Sequence, residues 1–207
     1  MDINVLTEEH KGFRKKYWNY YIDLERELIG ISSYVALRNE NWKTCSNKII
    51  SLLLNIGAEF DFLCKIVCGF NVSERKNISD YANVLLNEIR NLQQVKIEIL
   101  DTDIAIYPFK DWDIQHAKDL FWWEAYNSVK HDRVDNFDKG NLENLINALG
   151  ALYYLEMYYI KKLADLQNIP NVIDLPVSRS KVFKIVGWVT KYTCIGYNTY
   201  IDYMPEV

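Results

Sequence analysis

The chain has 207 residues, 49% of them hydrophobic, with 24 Lys plus Arg against 28 Asp plus Glu and a formal net charge of -4. That length and apolar content suit one main domain with a buried core. The acidic balance argues against a broad, non-specific nucleic-acid binder, while a local basic cleft stays open.

The opening MDINVLTEEH has no apolar run behind a basic start. No later stretch approaches the roughly 18 uninterrupted apolar residues of a spanning helix, so a soluble, cytoplasmic protein without membrane association is expected. Thr7 is placed to cap a first helix, with Glu8 and Glu9 in its first turn where the macrodipole favours carboxylates. Phe13, Tyr17, Tyr20, Leu24, Leu28 and Ile31 recur at spacings of three and four and predict its core face. Within it RKKYW, Arg14 to Trp18, has the look of a basic-aromatic nucleic-acid patch. In an acidic chain a solvated face beside a buried Tyr17 is the simpler reading.

After the polar RNENW, a second helix is predicted from Thr44 or Ser46 to Cys68, stopped by Gly69. Ile49, Leu52, Leu53, Ile56, Phe60, Leu63 and Val67 make its apolar stripe. Glu59 falls at the edge of that stripe, where a carboxylate is partly desolvated and wants a cationic or hydrogen-bonding partner. Asp61 and Lys65, one turn apart, read as a surface ion pair. The cysteines at 45, 64, 68 and 194 have no matching histidine pair, so they read as reduced thiols, with no metal and no cofactor expected.

Ser79 is placed to cap a shorter third helix running to Asn91. The period then changes: VKIEIL (95–100), the turn DTD (101–103) and IAIYPF (104–109) predict a small hairpin, with Pro108 suited to the end of an edge strand. A fourth helix is predicted from Asp113 or Gln115. It carries LFWWEAYNSVKHDR, in which Phe121, Trp122, Ala125 and Val129 share one arc while Glu124, Asn127 and His131 line up on another, beside Lys130 and ahead of Arg133. A carboxylate, an amide and an imidazole in a row make this the candidate site, because an imidazole suits proton transfer near neutrality. The structural alternative for His131 is a helix-end residue interacting with the last carbonyls. His10 and His116 read as surface residues, and Ser128 projects away from the imidazole.

Asn141 is placed to cap a long fifth helix reaching Gln167, with Leu142, Leu145, Leu149 and Leu152 on its apolar side. Joined by a short loop, the fourth and fifth helices should pack antiparallel. Beyond Pro170 and Pro176 the pattern turns strand-like in KVFKIVGWV and YNTYIDYM. The expected organisation is a helical bundle over residues 1–168, with a hairpin inserted near 95–109, and a strand-like aromatic extension over 169–207. With 15 Tyr and 6 Trp, a self-associating interface is also plausible on composition.

A long apolar second helix with a Glu and a Lys, followed by a late helix with Asn127 and His131 in YNSVKH, resembles the HEPN domains over about residues 41–167. Tyr126 stands where many members have an Arg. The resemblance implies a mainly α fold, a HEPN-like four- or five-helix bundle with one or two small β-hairpin insertions, that dimerises around a shared cleft. It also implies a metal-independent endoribonuclease or RNA-binding protein of a phage-defence or toxin-antitoxin system, with RNA and an antitoxin or defence-system protein as partners. On that reading Asn127 and His131 orient groups and transfer protons, and Glu124 or Glu59 fixes the imidazole or a cation. Lys130 or Arg133 contacts phosphate, a developing charge that needs cationic stabilisation, and Tyr126 lines the substrate side. Two alternatives remain: a catalytically inactive dimeric HEPN-like interaction module, and an enzyme using the carboxylate, amide and imidazole on a small substrate.

Overall fold

A computed structural model describes residues 12–165 and 180–188. Thr7, Glu8, Glu9, His10, Gln167, Cys194 and the YNTYIDYM stretch lie outside the described residues. Within them the protein is mainly helical, with one small antiparallel sheet. No helix of the described residues is long and apolar enough to cross a membrane.

Helix α1 (Asn19–Ser32) follows directly on a π-helical turn at Arg14–Trp18. A π-turn inserts one extra residue into the helical repeat, so the face that meets the core advances by one position. The core therefore takes Phe13, Trp18, Tyr21, Leu24, Leu28 and Ile31. Tyr20, which regular spacing places inside, is 41% exposed, and fully buried Tyr21 has its place. Lys15 and Lys16 are exposed and Tyr17 is half-buried, which fits a solvated basic face.

Helix α2 (Asn47–Val67) begins where Ser46 Oγ accepts a hydrogen bond from the Ile49 amide at 3.1 Å. It ends in a paired turn in which Gly69, at φ 72°, and Phe70 donate to the Ile66 and Lys65 carbonyls. Such a turn satisfies two of the helix's orphan carbonyls. Helix α3 (Ile78–Glu88) is capped by Asn77 and not by Ser79, because Asp80 completes a reciprocal box with the Asn77 backbone amide at 2.8 Å. Ser79, two places further on, cannot make that exchange.

Strands β1 (Ile97–Ile99) and β2 (Ala105–Ile106) form the expected hairpin, pairing Ile97 with Ile106. The hairpin is joined to the core, since Ile97, Ile99 and Ile106 are all buried. Pro108 lies beyond the edge strand β2 and its carbonyl accepts from Trp122 Nε1 at 2.9 Å.

Helix α4 (Phe121–His131) starts later than Asp113 or Gln115. The Asp113 carboxylate instead accepts from the His116 amide at 2.7 Å, and Trp112 Nε1 donates to the Ala117 carbonyl at 2.9 Å. These bonds hold the preceding residues as turns. Helix α5 (Leu142–Asp165) is capped by Asn141, whose side chain accepts from the Asn144 amide at 3.0 Å. Strand β3 (Phe183–Ile185), from KVFKIVGWV, adds to the free edge of β1 and gives the order β2-β1-β3.

The helix directions follow from their contacts. Leu142 and Glu143 amides donate to the Thr44 and Trp42 carbonyls, both at 3.0 Å, while Lys162 Nζ reaches the Val67 carbonyl at 2.8 Å. So α2 and α5 run parallel, start beside start and end beside end. Helix α1 runs against them, with Tyr17 near Phe62 and Glu27 near Lys48. Helix α4 also runs against α5, since Lys139 meets Ser128 while Trp122 and Gly150 both meet Pro108. Helix α3 packs at the side through Tyr81, whose hydroxyl donates to Asp61 at 2.8 Å.

Glu25 of α1 ties the last strand to this bundle. It is 1% exposed and its carboxylate accepts from the Tyr21 hydroxyl at 2.8 Å, from the Lys181 amide at 3.0 Å and from Ser180 Oγ. A buried carboxylate with three donors is satisfied.

Candidate functional site

Helix α4 buries more of itself than the arc of Phe121, Trp122, Ala125 and Val129 suggests. Trp123 and Tyr126 are buried too, and Phe121 is only half-buried. The reason is the surface it meets. Phe60 of α2 receives Trp122 edge-on at 4.7 Å and Trp123 at 5.7 Å, and Trp123 packs on Tyr126 at 4.8 Å. At Gly57 an added Cβ would overlap the Tyr126 ring, so the absence of a side chain there makes the notch that Tyr126 fills.

The remaining polar groups collect at the open end of α4. Asn127 is half-buried, and Lys130, His131 and Arg133 are exposed. Lys130 Nζ lies 5.1 Å from the centre of the Tyr126 ring, close enough for a cation–π contact. Lys139, from the loop before α5, donates to Ser128 Oγ at 3.1 Å and brings another cation to this end. The Asp132 carboxylate accepts from the Val134 and Asp135 amides, each at 3.2 Å, and turns the chain out of the helix. Glu124 is exposed nearly two turns back from His131. Among the described residues no carboxylate hydrogen-bonds the His131 imidazole. Asn127, Lys130 and His131 thus lie along the last turns of α4 with Arg133 two residues past its end, and Lys139 is an addition that its polar loop gave little reason to single out.

Glu59 does not join them. It is two positions beyond Gly57, about 200° around the helix, so α2 itself separates it from α4. It is half-buried, and burial raises its carboxyl above the usual carboxylate range. Its charge is felt by Tyr17 and Tyr20, whose hydroxyls are raised first by burial and then by nearby carboxylates. Glu156 of α5 is its other neighbour. That side chain is 0% exposed, and neither carboxylate oxygen has a hydrogen-bond partner. Burial, and then the Glu59 charge, push its carboxyl well above the ordinary value. The sequence did carry a signal for it: Glu156 lies four residues after Leu152 and four before Ile160, both fully buried, so it sits on the apolar stripe of α5.

No group of three His, Cys, Asp or Glu converges as a metal site among the described residues. Burial pushes the Cys64 thiol well above its ordinary value and the Cys68 thiol up to about 12, so both stay protonated and pack as small apolar groups. Burial also raises the Cys45 thiol, whose Sγ lies 3.3 Å from the Lys43 and Asp138 carbonyls. His116 is exposed and is raised by its bond to Asp113, which is lowered in turn. Comparison with protein-family models, with curated proteins and with solved structures finds no match.

Proposed function

We propose that the chain is a divergent HEPN-like helical protein that engages RNA, in a phage-defence or toxin-antitoxin setting, through the open end of α4. The observation that carries this reading is the grouping of Asn127, Lys130, His131 and Arg133 on one accessible helix end. Exposed cations there suit phosphate contact, and Lys139 adds to them. A metal-independent cleavage would use the His131 imidazole to accept the 2′-hydroxyl proton as that oxygen attacks phosphorus, with a proton returned to the departing 5′-oxygen. Asn127 would orient the reacting groups, and Lys130 or Arg133 would hold the phosphate charge. Glu59 has no place in this scheme.

A second reading, a catalytically inactive dimeric interaction module, is favoured by one feature. Tyr126, at the motif position where many HEPN members have an Arg, is buried at 3% exposure beneath Lys130. The two readings separate in one experiment on the purified chain with mixed RNAs and EDTA. The nuclease reading expects cleavage that falls about 100-fold or more in His131→Ala, while the Lys130→Ala/Arg133→Ala double variant binds RNA more weakly and with a shallower salt dependence. RNA left intact and unbound by the wild type overturns it. A dimer by sedimentation that ignores all three substitutions supports the module.

A further inference from the structure

Glu59 and Glu156 form a second polar cluster, away from α4, walled by aromatic rings. Tyr17 is its hub, with ring centres 6.0 Å from Phe13, 6.1 Å from Phe62 and 5.8 Å from Tyr159, the last edge-on. The wall reaches the surface, since Phe62 and Tyr20 are 40% and 41% exposed and Tyr17 is half-buried. Glu59 is half-buried at this wall. Glu156 is fully buried beside it with both oxygens unpartnered, whereas Glu25, the other buried carboxylate among the described residues, has three donors.

Nothing cationic among the described residues answers this pair. The titratable groups facing Glu156 are Tyr17 from the π-turn and Glu59 from α2, both acids. The lysines toward this end of α2 and α5 are engaged elsewhere: Lys65 with Asp61 at 3.4 Å, Lys162 with Glu88 at 2.7 Å, and Lys161 with a partner other than Glu59 or Glu156. A fully buried carboxyl group without a partner is costly to keep, and two carboxyls on one aromatic wall supply what an organic cation needs. The rings offer π faces to the alkyl and ammonium parts, and the carboxylates offer charge-assisted hydrogen bonds.

We propose that Glu59 and Glu156, with the rings of Tyr17 and Phe62, form a binding site for an alkylammonium group. Glu59 meets the cation first because it reaches the surface. Glu156 holds a proton in the empty site and gives it up when the ammonium arrives: one carboxylic acid and one ammonium become an ion pair, and the proton passes to solvent. Binding therefore releases a proton and tightens as pH rises. A free diamine and the lysine side chain of a peptide share this chemistry, and separate probes distinguish them.

The test is calorimetric titration of the full chain with putrescine and, separately, with Nα-acetyl-lysine methylamide, each in two buffers of different ionisation enthalpy. The expected result is saturable heat with at least one probe, whose size depends on the buffer as proton release requires. Glu59→Gln should weaken binding about tenfold or more. Glu156→Gln, a neutral isostere of the protonated acid, should keep the fold and abolish the buffer dependence. Binding of only the capped lysine assigns the site to a peptide source, and binding of putrescine assigns it to free amines. No heat with either probe at millimolar concentration overturns the proposal, as does binding that neither substitution alters.

Discussion

Tyr126 and Gly57 fit together so closely that a Cβ added at Gly57 would overlap the Tyr126 ring. Introducing at Tyr126 the basic residue of the HEPN motif that the stretch resembles, as Tyr126→Arg, would put a guanidinium where Trp123 and α2 pack, with no carboxylate described beside it. An unpaired buried charge and a lost ring contact together should destabilise the fold by about 3 kcal/mol or more, and RNA cleavage should not increase. Gly57→Ala overpacks the same contact from the other side and should cost about 1–3 kcal/mol. Urea unfolding of both variants checks this, and a stable Tyr126→Arg protein with enhanced cleavage would sink the argument. The polar row of α4 was legible because Asn127 and His131 lie one helical turn apart with apolar residues opposite. The burial of Tyr126 was not, because it depends on a glycine in a different helix. Glu59 was legible as a partly desolvated carboxylate, yet its neighbour Glu156 comes from 97 positions further along the chain, a separation that periodicity cannot read.

Among the elements, β3 shows how one side chain can decide where a strand docks. Its ladder to β1 is continued by the Leu100 amide donating to Val182 at 2.8 Å and the Val186 amide donating to Lys96 at 2.9 Å. The approach of that strand is set by Glu25, which gathers Tyr21, Ser180 and the Lys181 amide. Glu25→Ala leaves these donors buried and unpaired, an expected loss of about 2–4 kcal/mol. Hydrogen exchange at the Leu100 and Val186 amides should accelerate more than exchange in α2. Equal acceleration everywhere would mean that Glu25 supports the whole bundle and not the strand. Helix identities and the hairpin followed from period and turn chemistry, since each depends on residues close in sequence. The shift from Tyr20 to Tyr21 did not, because a π-turn adds one residue without changing composition. The pairing of β3 with β1 did not either, because a three-residue strand has no periodicity that names its partner.

At the scale of the whole molecule, the buried acids set how stability depends on pH. In the unfolded chain Glu156 and Glu59 release their protons near the ordinary glutamate value of about 4.3. In the folded chain burial raises both, and the Glu59 charge raises Glu156 further. Between those values the folded state holds protons that the unfolded state has lost, so stability falls as pH rises. Their contribution is fully present below the unfolded value and is lost as pH climbs through the folded one. Glu74 and Asp113 act with the opposite sign, being lowered by bonds to Lys76 and His116. Glu74 is exposed and the Asp113 carboxylate is largely open to water, so solvent and salt screen both and the buried pair should dominate. The melting temperature of the wild type should therefore drop as pH rises above the unfolded glutamate value of about 4.3. Glu156→Gln cannot ionise, so its curve should be flatter, higher than the wild type at pH 8 and convergent with it near pH 4. Parallel curves across that range would mean that Glu156 does not titrate between the two states. Saturating alkylammonium should recover much of the wild-type loss at pH 8 by giving the ionised pair its counter-charge, and the same concentration should stabilise Glu59→Gln less.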